Sequence, residues 1–326
     1  MTERDGYGDW RSLELAIKEA AKRAAREAGA GVSAATVDAQ IRQARFDRFL
    51  SRVFAAGEES EWLLKGGMSM LARVPRSRTT KDVDLAAQKA ADLAEAEKAL
   101  VDLVDVDLGD HLTFRLIRST PTGLGENQPG LATRRYIFAC IDVDHDTQID
   151  TVHVDVVVGR PPVGRPEVVE PANRLHLRRP LVTHPYRLYP VADQVADKVC
   201  ATMDTNYPGG KRSSRVKDLV DLVVLAHTQA VVLDELHNAI AAKRVISGIE
   251  PFEHFDIPDD WTRTYPTTAK GVPSAESFTA ETAAVLVASL VDPALDKSSN
   301  NSIWDPDNLA WVAATSGPSA APVDAK

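Results

Sequence analysis

The spacing of apolar and polar residues divides the chain into a helical start, a strand-rich middle and a helical end. Residues 11–28 place Leu13, Leu15 and Ile17 among Ala, Glu, Lys and Arg, which predicts an amphipathic helix. A second helix is expected over about 34–56, where apolar residues recur at steps of three and four. The two helices are expected to pack against each other as a hairpin.

The middle of the chain predicts strands separated by short helices. An apolar segment over 61–65 ends at two glycines and is followed by an expected short helix over 68–72. A strand-like alternation then surrounds Asp84, and residues 88–105 have a helical composition. Branched and aromatic residues predict three further strands, over 112–117, 135–143 and 151–159.

These elements predict an α+β fold, in which a domain with a mixed sheet flanked by helices precedes a mainly helical C-terminal domain. We expect the N-terminal helices of residues 1–56 to pack on a domain formed by 57–180. The helical domain is expected over 181–312. Residues 313–326 are expected to be a disordered tail because they are rich in Ala, Ser and Pro.

Composition excludes several classes of protein. The two cysteines, Cys140 and Cys200, lie far apart, which argues against a disulfide scaffold and fits the reducing cytoplasm. No apolar run reaches about 18 residues, so no membrane span is expected. The chain has 38 Lys and Arg against 47 Asp and Glu, a net charge of −9, which argues against a protein that binds nucleic acid over most of its surface. A local basic groove is compatible with this net charge.

The first candidate for chemistry is the pair of glycines at 66 and 67, between a strand and a helix. Gly66 and Gly67 allow the backbone to approach a ligand, and the free N–H groups of the following helix can bind phosphate. Ser69 would add a hydroxyl group to such a phosphate site. Taken alone, a Gly-Gly pair is more often a plain turn.

The second candidate is a pair of aspartates just downstream. Asp82 and Asp84 are two residues apart, which on a strand places both carboxylates on one face. Such a pair suits Mg²⁺, which takes one or two carboxylates together with substrate phosphates. The preceding Arg78, Thr80 and Lys81 offer the groups that a triphosphate would need. An isolated D-x-D pair is usually a solvated strand end.

Asp155 is the expected third carboxylate of a two-metal site. It lies in the middle of a strand of valines, where an unpaired buried aspartate would be costly without a cation or hydrogen bonds. Asp142 and Asp144 compete for this role, but they lie against a presumed turn, where exposure to solvent is a simpler explanation.

Together these segments resemble the nucleotidyltransferase superfold of the DNA polymerase beta type. More narrowly, the chain resembles the AbiEii-type (MenT-like) nucleotidyltransferase toxins of type IV toxin–antitoxin systems. The segments that carry the resemblance lie within about residues 45–225, and in chain order they are GGMSM, RTTKDVDL, the helical Lys198 and RVKDLVDL.

The resemblance also assigns roles to residues in the last two motifs. It implies that Lys198 points into the cleft and binds a triphosphate oxygen, and that Asp218 lies in the cleft with Arg215 and Lys217 near the nucleotide. Read without the resemblance, Lys198 is a surface lysine. In the same reading, Arg215 with Asp218, or Lys217 with Asp221, forms an ion pair on one helix face.

The resemblance implies a Mg²⁺-dependent enzyme, with two metal ions possible, that uses an NTP as substrate. It implies transfer of a nucleotide, often a pyrimidine nucleotide, to the 3′ end of tRNA, which blocks aminoacylation and growth. It also implies a cognate antitoxin, in some cases one that phosphorylates a hydroxyl residue at the position of Thr80. Two alternatives stay open: a small-molecule nucleotidyltransferase of the antibiotic-modifying kind, and a nucleotide-binding regulator without turnover.

Overall fold

The computed structural model describes residues 6–27, 34–122, 133–159, 161–205, 212–296 and 301–314. The chain begins with two helices, α1 (Trp10–Glu27) and α2 (Ala34–Val53), which contact each other as the hydrophobic spacing predicts. The predicted tail falls almost wholly outside the described residues. None of the helices in the described ranges is long and apolar enough to cross a membrane.

In the part of the chain that the structure describes, seven strands form one mixed sheet, which confirms the predicted α+β fold. The strands are β1 (Trp62–Lys65), β2 (Val83–Ala87), β3 (Leu112–Thr122), β4 (Thr133–Asp142), β5 (Thr147–Val158), β6 (Glu167–Val169) and β7 (Tyr186–Leu188). Their order across the sheet is β3-β4-β5-β2-β1-β7-β6, with β2 parallel to β5 and β1 parallel to β7. The helix α3 (Gly66–Arg73) follows β1 directly, and α4 (Leu93–Val104) follows β2.

One face of this sheet is covered by helices and carries the first hydrophobic core. Helix α4 packs on β3 and β5, and α2 packs on α4 and β5. Leu64, Leu85 and Val156 are fully buried on this face, so the residues between them point to the opposite face. The alternation of apolar and charged residues along β1, β2 and β5 therefore leaves the charged residues on the second face.

A buried ion cluster joins α2 to the sheet domain. Asp110, which is inaccessible to solvent, accepts hydrogen bonds from Arg48 at 2.7 Å and from Arg52 at 2.8 and 3.0 Å. Although burial favours the neutral acid, the two guanidinium groups lower the pKa of Asp110. Sequence reasoning did not find this cluster, because the partners are about 60 residues apart along the chain.

The C-terminal part is mainly helical, as predicted, but it also contains a small sheet. The helices are α5 (Val191–Met203), α6 (Val216–Thr228), α7 (Leu233–Ser247), α8 (Trp261–Ala269) and α9 (Ala280–Leu295). The strands β8 (Val231–Val232), β9 (Ser302–Asp305) and β10 (Ala310–Ala313) form the sheet, which was not predicted because strands of two to four residues carry almost no periodic signal. Trp304 is buried on this sheet, and its indole N–H donates to the carbonyl of Ala226 at 2.7 Å.

The helices of the C-terminal part enclose a second hydrophobic core, whose members run from Val191 to Trp304 with the addition of Met70. The members of the first core run from Trp10 to Leu188. The predicted boundary near residue 180 remains a prediction. The two cores place α5 and α6 beside the charged face of the mixed sheet, where a cleft opens.

Candidate active site

A cleft of about 290 Å³ lies between the end of β1, the segment that leads into β2 and the helices α5 and α6. Of the residues predicted for the site, only Ser69 and Asp155 do not line it. The lining residues are Lys65, Gly66, Gly67, Arg78, Thr79, Thr80, Lys81, Asp82, Asp84, Tyr189, Gln194, Asp197, Lys198, Arg215, Lys217 and Asp218. Thus four motifs that are far apart in sequence meet around one cavity.

The glycine turn is required by close packing beneath the cleft. Gly66 has a φ of +61°, and a side chain there would collide with the carboxylate of Asp84. A Cβ atom at Gly67 would lie 2.8 Å from the Cβ of Thr80. The two glycines therefore let the start of α3 pack directly against the D-x-D segment. The turn is a specific feature of this site rather than a generic loop.

Asp84 carries a negative charge that its surroundings do not fully compensate. Burial, together with the nearby charges of Asp82 and Asp155, raises the pKa of Asp84 to about 6. Asp82 is half-exposed and accepts a hydrogen bond from the Thr80 hydroxyl at 2.8 Å. A divalent cation would relieve the repulsion between these carboxylates, and hard oxygen ligands of this kind suit Mg²⁺. Asp82 and Asp84 therefore fit the metal that the resemblance implies.

The structure gives Asp155 a protein partner, and its expected role as a third ligand of the metal site stays a prediction. Asp155 pairs in register with Asp84 across β5 and β2, so it does lie beside the pair. Its two oxygens, however, accept hydrogen bonds from Nε of Arg135 at 2.7 Å and from the terminal nitrogen of Arg135 at 2.5 Å. Within the described ranges, no three His, Cys, Asp or Glu side chains come close enough to hold an ion. Arg135 therefore offsets the cost of burying Asp155.

The structure corrects the position of Ser69. Its side chain is fully buried, and its hydroxyl lies 3.5 Å from Oε1 of Gln194 on α5. The amide nitrogen of Gln194 in turn donates to the carbonyl of Gly66 at 3.2 Å. The reason is that Ser69 lies past the first turn of α3, on the side that packs against α5. Ser69 thus supports the glycine turn through Gln194 and does not reach the cleft.

A buried ion network joins α5 and α6 at the far wall of the cleft. The ammonium of Lys198 lies 2.7 Å from Asp221 and 3.2 Å from Asp218. Arg215 also binds Asp218, at 2.5 Å, and Arg78 binds Asp221 at 3.2 Å. Lys198 is therefore a buried residue of the cleft and not a surface lysine. The predicted Arg215–Asp218 pair is present, whereas Asp221 binds Lys198 and Arg78 instead of Lys217.

The charges of this network stabilise one another. Burial opposes the ionisation of Asp218, but Lys198 and Arg215 hold its pKa below the usual range. Burial likewise opposes the charge of Lys198, but Asp221 and Asp218 raise its pKa. Both groups stay ionised near neutral pH, so the network is a fixed set of charges facing the cleft.

Two parts of the site were missed by sequence reasoning. Lys65 lies at the end of β1 and binds Asp197 at 2.8 Å, and Lys243 binds the same carboxylate at 2.8 Å. The ammonium of Lys65 also lies 4.1 Å from the ring centre of Tyr189. The only sequence signal for Lys65 was a charged residue at the end of a fully apolar strand, directly before the glycines. Nothing in the sequence indicated Arg135.

Comparisons with known proteins agree with this geometry. The model of a family described as the nucleotidyl transferase AbiEii toxin of a type IV toxin–antitoxin system matches residues 48–293, which is more than half of the chain. A comparison with curated proteins found no match.

Solved structures are similar at low sequence identity. The nucleotidyltransferase toxin MenT4 from Mycobacterium tuberculosis H37Rv is 13% identical with a TM-score of 0.46, over 81% of this chain and 97% of that one. JHP933 from Helicobacter pylori is 14% identical with a TM-score of 0.40, over 82% of this chain and 96% of that one. Because both TM-scores are below 0.5, the family assignment rests on the family model alone.

Proposed function

Since the chain belongs to the AbiEii family of nucleotidyltransferase toxins from type IV toxin–antitoxin systems, we propose that it transfers a nucleotide from a pyrimidine NTP to the 3′ end of tRNA with the help of Mg²⁺. The observation that carries this proposal is the cleft itself. Two carboxylates, Asp82 and Asp84, line it together with basic side chains such as Arg78, Lys81 and Lys217. A nucleoside triphosphate with a divalent ion has the complementary charges.

The NTP is proposed to bind with its phosphates between the glycine turn and the basic side chains that line the cleft. The backbone at Gly66 and Gly67 lies at the start of α3, where free N–H groups favour an anion. Arg78 and Lys81 line the cleft beside this turn, and Lys217 lines it on α6. These groups neutralise the phosphates and hold the triphosphate in one orientation.

Transfer is proposed to occur by in-line displacement at the α-phosphate. An acceptor hydroxyl forms the new bond to phosphorus and loses its proton to solvent, while the bond to pyrophosphate breaks and pyrophosphate leaves with the electron pair. A Mg²⁺ ion held by Asp82 and Asp84 would neutralise charge on the phosphates when bound. The protein contributes mainly position and charge, because phosphoryl-type transfer needs little covalent help. Thr80 orients Asp82 through its hydrogen bond.

Lys198 and Asp218 are proposed as the charged pair on the leaving-group side. Lys198 supplies positive charge toward the pyrophosphate, and Asp218 holds the ammonium in place at 3.2 Å. Asp221 shares this role on the other side of the ammonium, at 2.7 Å. A fixed cation stabilises the transition state most when it lies where negative charge develops during the reaction.

The tRNA acceptor, the cytoplasmic location and the antitoxin are proposals drawn from the family. Arg215 and Lys217 lie at the start of α6 where a nucleic-acid backbone could reach them. The sequence over 206–214 also predicts a loop with the basic residues Lys211 and Arg212. Lys211 lies outside the described residues, and Arg212 binds Asp256 at 3.0 Å. A phosphate on Thr80 would add negative charge beside Asp82 and oppose binding of a triphosphate.

Incubation of the protein with each labelled NTP and total tRNA tests the proposal. We expect label at RNA 3′ ends with a pyrimidine NTP, and its loss with chelator. The Asp82→Ala variant should lose transfer but keep its fold, while Asp105→Ala, which alters an exposed aspartate outside the cleft, should keep both. Transfer by a folded Asp82→Ala protein would refute the mechanism.

The two alternative functions predict different outcomes in the same assay. A small-molecule nucleotidyltransferase would release pyrophosphate with an added small acceptor but leave RNA unlabelled. A nucleotide-binding regulator would bind NTP and release no pyrophosphate with any acceptor.

A further inference from the structure

Four charged residues lie in one row across four neighbouring strands. Arg135 on β4 pairs with Asp155 on β5, Asp155 pairs with Asp84 on β2, and Asp84 pairs with Lys65 on β1. Residues directly opposite each other in paired strands share a face. The row therefore reads cation, anion, anion, cation on the face that looks toward the cleft, and each aspartate has a basic residue as its outer neighbour.

Arg135 neutralises the charge of Asp155 through a bidentate ion pair. Its guanidinium makes two parallel hydrogen bonds to the two oxygens of Asp155, at 2.7 and 2.5 Å. Asp155 is 9% exposed, so both of its oxygens are occupied in a place that water hardly reaches. Bidentate pairs of this kind are stronger and more directional than a single ionic contact.

The same guanidinium also reaches the D-x-D segment. A terminal nitrogen of Arg135 lies 3.6 Å from Oδ2 of Asp82. Arg135 therefore bridges Asp155, which does not line the cleft, and Asp82, which does. A second divalent cation would need the oxygens of Asp155 that Arg135 already occupies.

We propose that Arg135 replaces a second divalent cation in this enzyme, so that the site takes one metal ion, on Asp82 and Asp84. This inference rests on the proposed function. Asp155 is then a positioning residue: it holds Arg135, and Arg135 holds Asp82 toward the cleft. The row explains why Asp155 does not line the cleft although it lies beside Asp84.

The stoichiometry of Mn²⁺ binding tests the proposal, because Mn²⁺ replaces Mg²⁺ on oxygen ligands and free Mn²⁺ is measured directly by electron paramagnetic resonance. The whole protein is titrated without nucleotide. We expect one Mn²⁺ per chain in the native protein. We also expect one in Asp155→Asn, since Asp155 is not a ligand. In Arg135→Met, the freed carboxylate of Asp155 should join Asp84, and the number should rise to two.

Arg134→Met is the matched control. Arg134 precedes Arg135 on β4, points to the other face of the strand and lies 3.8 Å from Glu97. Its loss removes the same charge without touching the row, so the count should stay at one. Circular dichroism and the midpoint of thermal unfolding confirm that each variant is folded.

The possible results separate this inference from the proposed function. Two Mn²⁺ in the native protein, falling to one in Asp155→Asn, would overturn the role of Arg135 and leave the proposed function standing. A folded Arg135→Met protein that still binds one ion would also overturn it. If neither the native protein nor any variant bound Mn²⁺, the inference would fail. The proposed function would still stand, because its metal ion also takes oxygens from the NTP.

Discussion

Replacing Asp84 by Asn should stabilise the metal-free protein while it removes the activity. The pKa of Asp84 is raised from 3.8 to about 6 by burial and by the charges of Asp82 and Asp155. The ionised form is therefore disfavoured in the folded state. Asn keeps the shape of the side chain and removes the charge, so the repulsion should disappear.

The size and sign of this effect follow from linkage between protonation and folding. Between pH 3.8 and about 6 the folded protein keeps a proton on Asp84 that the unfolded chain has released. The free energy of unfolding therefore falls as the pH rises through this window and stays lower above it. At ~1.4 kcal/mol per pKa unit the shift corresponds to at most about 3 kcal/mol, and partial exposure of Asp84 reduces this to about 1–2 kcal/mol.

Urea unfolding followed by tryptophan fluorescence measures the difference. In chelator at pH 8, Asp84→Asn should be more stable than the native protein by about 1–2 kcal/mol, and the gap should close near pH 4. Asp105→Asn, at an exposed site, should change stability by a few tenths of a kcal/mol at most. Added Mg²⁺ should stabilise the native protein and not the variant. An Asp84→Asn protein that is equal to or less stable than the native protein at pH 8 would refute the reasoning.

Three other perturbations test the packing and charges around the cleft. Gly66→Ala should reduce kcat/KM for transfer about 100-fold, because the added methyl group displaces Asp84. Gly57 has a similar positive φ but no neighbour within 4 Å, so Gly57→Ala should strain the backbone equally and leave kcat/KM unchanged. Lys198→Met removes the cation that Asp218 and Asp221 share and leaves each of them one arginine, so it should lower the free energy of unfolding by about 3 kcal/mol in urea titrations at pH 7. A loss below about 1 kcal/mol would contradict the buried network. Because the pKa of Asp110 is lowered in the folded protein, its ionised form stabilises the fold above the unfolded pKa, and that stability is lost as the pH falls. Asp110→Asn should therefore lower the free energy of unfolding by about 3 kcal/mol at pH 7 and by progressively less toward pH 3. Urea unfolding midpoints at the two pH values measure the difference.

Local patterns in the sequence were sufficient for the elements that flank the site. Alternation predicted β2, β-branched residues predicted β5, and the glycine pair marked the junction between β1 and α3, although the helix starts at Gly66 and not at Met68. Alternation also decided which residues of β2 enter the core and which face away, since successive side chains of a strand point to opposite faces. Asp84 lies on β2 and Asp82 directly before it, and both line the cleft, although the prediction had placed both on the strand.

The pairing of charges was beyond the reach of sequence reasoning. Asp155 was singled out as a costly buried carboxylate, and that part was right, because it is buried. Whether a metal or an arginine offsets the cost depends on which strand lies beside β5, and only the strand order places Arg135 there. Ser69 failed as a cleft residue for a similar reason, since the packing of α5 on α3 decides where its hydroxyl points.

The sequence alone determined the secondary structure around the site, the identity of the acidic and basic residues, and the family to which the chain belongs, because these depend on neighbours close along the chain. The tertiary structure decided which charges meet. Ion pairs such as Lys198 with Asp221 and Arg135 with Asp155 join elements whose contacts are set by the order of the strands and the packing of helices. These long-range contacts turn separate charged residues into one cleft.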